Sequence, residues 1–90
     1  VKPERLEEVK RWYREEHIPR LAAVPGCVSA RHFVSHAGTH NSIGLYELET
    51  AETCSSAAWK AAAFTPWTKE MHPHLGDALR LVLRRYQRAA

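Results

Sequence analysis

Apolar side chains recur at Leu6, Val9 and Tyr13, at spacings of three and four, and His17 continues the series. That is one stripe along a helix. The spacing predicts a helix over residues 3–17. Pro3 suits its first turn, where the missing N–H costs nothing, and Glu4, Glu7 and Glu8 lie near the positive end of the helix dipole. Trp12 flanks the stripe, while Lys10, Arg11 and Arg14 point away from it. Pro19 disfavours helical geometry at Ile18, so the helix is expected to end there. That leaves His17 on the inward stripe at an open C-terminal end.

The pattern then changes from a helical period to alternation. Residues 20–26 connect, with Pro25-Gly26 a turn signal. In residues 27–36, Cys27, Ser29, Arg31, Phe33 and Ser35 face one way, and Val28, Ala30, His32, Val34 and His36 face the other. In residues 43–49, Ile43, Leu45 and Glu47 oppose Gly44, Tyr46 and Leu48. Two alternating runs separated by a polar turn at residues 37–42 predict an antiparallel hairpin. Residues 50–64 are Ala-rich and predict a second helix, with Thr50 as N-cap and Pro66 as terminator. Ala58, Ala61 and Ala62 would let that helix lie close against a sheet. Residues 65–76 read as irregular. Residues 77–89 fit a strand through Leu79, Leu81 and Leu83, or a helix through Leu79, Val82, Leu83 and Tyr86; periodicity alone does not choose.

Ninety residues make a single domain, residues 1–90, and its modest core leaves room for help from oligomerisation. The formal charge of +3 is mild, with basic residues gathered in residues 80–89. No broad basic face interleaved with aromatics is present, so no nucleic-acid partner is expected. No run approaches the ~18 apolar residues of a membrane span. Cys27 and Cys54 read as buried or half-buried thiols of a reducing cytoplasm, not a disulfide framework.

The stretches "WYREEHIPRLAAVPG" (residues 12–26), "SARHF" (29–33), "LYELE" (45–49) and "TPWT" (65–68) resemble the dimeric alpha+beta barrel superfamily. In particular they resemble its ether-degradation-associated (EthD-like) branch and its small polyketide cyclases and monooxygenases. The W-Y-x-x-E-H-I-P block with the following V-P-G is the specific part. The resemblance implies an α+β, ferredoxin-like β-α-β-β-α-β unit whose antiparallel sheet pairs with that of a second copy, a homodimer with Leu79, Leu81 and Leu83 or their alternates in the contact. It also implies that residues 77–87 are a strand. The first strand of that pattern falls just before Val1-Lys2 and is expected to be missing from the sequence.

His17 is the candidate catalytic residue. The resemblance places a pocket between sheet and helices, on the side the helical stripe faces, and histidine exchanges protons near neutral pH. The competing reading is a histidine that caps its own helix. Tyr13 shares the face and either hydrogen-bonds a ligand or packs. His32, Tyr46, Trp59 and Trp67 are candidate pocket residues, with core or dimer packing as the alternative for each. His72 and His74, with His17, His32 or His36, invite a metal, but the spacing is not that of a zinc site, and no metal is expected. The serines lack a Gly-x-Ser-x-Gly elbow, and no glycine-rich phosphate loop occurs. The expectation is a cytoplasmic, cofactor-free enzyme that cyclises or isomerises an aromatic or polyketide-like molecule by acid–base catalysis at His17. A cofactor-free monooxygenase and a non-catalytic binding or accessory module are the alternatives.

Overall fold

The computed structural model describes residues 1–38, 41–76 and 78–84. After a 3-10 turn at Pro3–Arg5, the chain forms one helical rod in three parts: α1 (Leu6–Trp12), a π turn (Tyr13–His17) and α2 (Ile18–Ala22). The rod runs through Pro19, where the sequence pointed to a stop. Proline removes a donor and its ring crowds the carbonyl four residues back, here that of Glu15. The π turn meets this by widening the backbone: the Ile18 N–H bonds the Tyr13 carbonyl, five residues back. Both flanks keep right-handed helical angles. His17 therefore lies inside a continuous rod, and the capping role that an open helix end offered it disappears.

The rod leads through Gly26 into the sheet. Gly26 has φ +92°, and a Cβ there would meet Thr53 Oγ1 at 2.6 Å, so only glycine fits this turn. The hairpin expected from the alternation is present. Strands β1 (Cys27–Val34) and β2 (Ser42–Leu48) pair antiparallel, with Phe33 opposite Ile43, Arg31 opposite Leu45 and His32 opposite Gly44. A register shift between Cys27 and Ser29 is the one departure. It leaves Val28 63 % exposed and off the face it was expected to share with Ala30, His32 and Val34. Ala30, His32 and Val34 of β1 and Gly44, Tyr46 and Leu48 of β2 are partly buried, while Phe33, Ile43 and Leu45 on the other face are exposed.

The second half departs further from the pattern reading. A 3-10 turn (Ala51–Ser55) precedes α3 (Ala57–Ala63), and the cap of α3 is Ser56, whose hydroxyl accepts from the Trp59 N–H; Thr50 makes no side-chain cap bond. Pro66 does not terminate a helix but opens one, α4 (Pro66–Leu75), so the stretch expected to be irregular is helical. Thr65 caps α4, accepting from the Thr68 N–H, with Pro66 in the first turn, where its lack of a donor is harmless. On α3 the buried alanines are Ala62 and Ala63; Ala58 and Ala61 are exposed. Residues 78–84 are exposed and form neither the strand nor the helix considered for them, and the remainder of that expected strand lies outside the described residues. Among the described residues no helix is long and apolar enough to cross a membrane.

The result is a small α+β unit with two apolar clusters. Leu21, Val24, Trp59, Ala62 and Ala63 join α2 to α3, with Tyr46, Leu48 and the free thiols of Cys27 and Cys54 packed against them. Val9, Trp12 and Met71 join α1 to α4, with Tyr13 and Trp67 alongside. Trp12, expected only to flank the stripe, is 2 % exposed and central. Two polar tethers fix the rod. Arg20 donates to the carbonyls of Ala61 and Ala62 at the C-terminal end of α3. The Thr65 hydroxyl donates to Glu16 Oε2 at 2.8 Å, which joins the cap of α4 to the π turn. Thr65→Ala should lower stability by about 1–2 kcal/mol, the range for a lost N-cap, while Thr50→Ala stays within about 0.5 kcal/mol. Urea midpoints of the two variants against wild type check the difference.

Candidate active site around His17

The π turn gathers aromatic rings that a regular helix would spread. Trp12 stacks on His17 with ring centroids 4.2 Å apart, and Tyr13 meets the same imidazole edge-on at 5.3 Å. From β2, Tyr46 approaches His17 at 6.4 Å, also edge-on, and Trp59 backs Tyr46 at 5.2 Å. Gly44 makes room for Tyr46: a Cβ at Gly44 would lie 2.7 Å from the phenol oxygen. His17 belongs to neither apolar cluster and touches both, Trp12 and Tyr13 on one side and Tyr46 on the other.

An open cavity of about 1550 Å³ lies between the rod, β2, α3 and residues 78–84, lined in part by Tyr13, His17, Tyr46 and Trp59. Four of the residues singled out from the sequence therefore meet at one place. Trp67 does not join them. It packs on the Val9–Trp12–Met71 cluster, with the Arg11 guanidinium 5.8 Å above its ring. His32 lies just outside the cavity. Tyr13 stacks flat on it at 3.9 Å, and its ring borders a second cleft with Lys10 and Arg14. Ser42 lines the main cavity and its Oγ sits 2.7 Å from His32 Nε2. No sequence signal marked Ser42. Its role depends on the hairpin register, which places it diagonally across from His32. Among the described residues no group of three or more His, Cys, Asp or Glu side chains gathers around a point that could hold a metal ion.

The electrostatics follow from burial. His17 is pushed down to about 4, chiefly because burial penalises the charged ring; Glu16 acts in the opposite sense and His32 in the same sense. The carboxylate next to His17 in sequence is thus outweighed, and the imidazole is neutral at pH 7. Burial also lowers His32, with the Lys10 cation adding to the effect. Burial raises the phenols of Tyr13 and Tyr46, partly relieved at Tyr13 by a hydrogen bond with Ser42. His17 Nδ1 and Trp12 Nε1 are buried without a hydrogen-bond partner. With Nδ1 sealed, a molecule in the cavity meets His17 through Nε2. The arrangement offers a neutral imidazole nitrogen and two protonated phenols to the same space.

No family model, curated protein or solved structure matches the chain.

The depressed ionisation of His17 fixes a pH dependence. Between pH 6.5 and about 4 the unfolded chain binds a proton at this position that the folded chain refuses, so stability falls as pH falls through that window and is unaffected above it. The loss amounts to at most about 3 kcal/mol at pH 4. His32 acts in the same direction, so the His17 share is the difference between wild type and His17→Gln. Urea unfolding at pH 7, 5.5 and 4 should show a shallower decline for the variant.

Proposed function

We propose that the protein is a small cofactor-independent enzyme that binds a planar aromatic or polyketide-like molecule in the His17 cavity and rearranges it by proton transfer. The observation that carries this reading is the neutral imidazole of His17, reachable only at Nε2, set among Tyr13, Tyr46 and Trp59. In the Nδ1–H tautomer, the Nε2 lone pair takes a proton from carbon beside a substrate carbonyl. The C–H electron pair becomes the enolate π bond as the carbonyl oxygen gains charge. A Tyr13 or Tyr46 hydroxyl donates a hydrogen bond to that oxygen. The enolate offsets the burial penalty on the imidazolium, which returns the proton at the new position, or gives it to the alkoxide formed when the enolate carbon adds to a second carbonyl of the same molecule and that C=O π pair moves to oxygen. Trp59 and Tyr46 supply flat apolar walls for a planar ligand.

The sealed Nδ1 also supports a second reading. A buried N–H without an acceptor is rarer than a buried lone pair without a donor, which favours the Nε2–H tautomer. In that form His17 donates a hydrogen bond and accepts no proton, as suits a non-catalytic carrier. The two readings separate at His17→Gln, because an amide can donate a hydrogen bond but cannot titrate. For the enzyme, His17→Ala and His17→Gln both lose turnover by at least about 100-fold, the lower range for one acid–base group, while both variants stay folded by circular dichroism. Wild-type turnover in His17→Gln sinks the catalytic role. Ligand binding with no turnover in any form establishes the carrier.

The same proposal includes a ferredoxin-like sheet and a homodimer. Among the described residues β2 pairs only with β1, so its other edge offers backbone groups to a further strand. Phe33, Ile43 and Leu45 form an apolar stripe on the sheet face away from the helices, each 44–47 % exposed. A second sheet packed on that stripe would cover it. Sedimentation should find a dimer at micromolar concentration and a shift towards monomer in Phe33→Glu; a wild-type monomer removes this part of the proposal.

A further inference from the structure

The second cleft, between the rod and β1, has a charge and a shape that the His17 site does not use. It holds about 410 Å³ and is lined by Lys10, Arg14, Ile18, His32 and Val34. Lys10, Arg14 and Ile18 follow one another at intervals of four along the rod, and His32 and Val34 share the partly buried face of β1. The flat stack of Tyr13 on His32, at 3.9 Å with 9° between the planes, divides this cleft from the large cavity. His32 lines the one and Tyr13 the other.

The cations of the cleft are poorly neutralised. Elsewhere on the rod, basic side chains have partners: Arg11 pairs with Glu15, and Arg20 donates to the carbonyls of Ala61 and Ala62. Arg14 has none among the described residues. Glu15 is held by Arg11 and Glu16 by Thr65. The positions three and four residues from Arg14 are Lys10, Arg11, His17 and Ile18, with no acid among them. Lys10 pairs with Glu7 at 3.1 Å, but that carboxylate side chain is 86 % exposed, where an ion pair contributes little. Among the described residues no carboxylate lines the cleft. Lys10 and Arg14 thus set two like charges about one turn apart on a concave surface, where they repel. Burial together with Lys10 holds His32 below its ordinary ionisation range, so it is neutral at pH 7 and adds no third charge. Its Nε2 is taken by Ser42 Oγ at 2.7 Å, which leaves Nδ1 as the ring nitrogen for a ligand.

A ligand matched to this surface carries a negative charge and an apolar body. The Arg14 guanidinium fits a carboxylate through two parallel N–H groups, and Lys10 adds a point charge. Ile18 and Val34 offer aliphatic side chains beside them. A hydrated inorganic anion would leave those two unused. We propose that the cleft binds a small organic carboxylate, held by Arg14 and Lys10 with its apolar body against Ile18 and Val34. The site is separate from the His17 cavity and does not depend on the activity proposed there.

Benzoate is the probe, with acetate supplying the charge alone, benzyl alcohol the ring alone and inorganic phosphate a different anion. Spectra of protein labelled with ¹³C in its methyl groups and histidine rings are followed at pH 7 and constant ionic strength. Benzoate is expected to shift the Ile18 and Val34 methyls through its ring current, and the His32 ring with them, saturably in the millimolar range. The exposed His72 ring on α4 should not move. Acetate, benzyl alcohol and phosphate should each bind several-fold more weakly. Arg14→Gln and Lys10→Gln, with the fold checked by circular dichroism, should each weaken benzoate by about 3- to 10-fold. Three results overturn the proposal: benzoate binding unchanged in both variants, phosphate binding as tight as benzoate, or shifts at Tyr46 and Trp59 in place of Ile18 and Val34, which would put the ligand in the large cavity. Turnover enters none of these measurements, so the enzyme reading can fail while the carboxylate site stands, and the reverse.

Discussion

A proline inside a helix sets the geometry on which the site depends. Pro19 has no N–H to give and crowds the Glu15 carbonyl. The chain could have stopped there, yet Leu21 is 1 % exposed, packed with Val24, Trp59 and Ala62. Burial of a leucine side chain contributes about 1.5–3 kcal/mol, which helps hold α2 in line with α1. The π turn reconciles the two demands. It lets the rod reach the second cluster, and it bunches Trp12, Tyr13 and His17 on one side. The aromatic floor of the cavity follows from how the backbone accommodates a proline.

The position has a polar price. Trp12 is 2 % exposed with an unpartnered indole N–H, and His17 Nδ1 is buried without a partner. An unsatisfied buried group of this kind costs about 1–3 kcal/mol. Thr65 and Arg20 hold this part of the rod from outside: one hydrogen-bonds Glu16 within the π turn, the other the C-terminal carbonyls of α3. Replacing His17 by an apolar residue of similar shape would remove one of these penalties. His17 sits at the seam of the two apolar clusters, between the Trp12 and Tyr13 rings on one side and the Tyr46 phenol on the other.

The sequence made some of this legible and hid the rest for physical reasons. Alternation exposed the hairpin because β-pleating converts directly into a period of two. It also sorted Tyr46 from Leu45 correctly, but it could not show the register shift at Cys27 that moves Val28 outward. Both misread prolines share one cause. Proline forbids a donor, and that prohibition is compatible with a helix start as well as a helix stop. Thr65-Pro66 carried the signal of a start, an N-cap residue followed by proline in the first turn. Pro19 carried none, since a π turn depends on what the next turn can bury. Trp67 looked like a pocket residue beside Trp59, and only the direction of α4 sends it to the other cluster. His17, Tyr13 and Tyr46 were found because helix stripe and strand alternation each point inward, and Trp59 as an indole near the end of the second helix, while Ser42 required the register between strands.

The size of the cavity has its own explanation. About 1550 Å³ exceeds the roughly 300–1000 Å³ of ordinary small-molecule pockets. Part of its wall is the edge of β2, and the backbone parity of that edge can be worked out. Ser35 donates to the Asn41 carbonyl and Glu49 to that of Gly26, so odd-numbered residues of β2 bond to β1. The N–H and C=O groups of Ser42, Gly44, Tyr46 and Leu48 then face the cavity. These are also the residues whose side chains turn toward the helices. Val1 lies at one end of this wall: its backbone nitrogen donates to Asn41 Oδ1 at 3.0 Å, and Asn41 Nδ2 donates back to its carbonyl at 2.8 Å. The cavity thus combines two spaces, an aromatic pocket around His17 and a slot along the edge of β2 that no further strand among the described residues pairs with. An extended segment seated in the slot would satisfy the backbone groups and leave the aromatic pocket around His17 as the smaller, more enclosed volume.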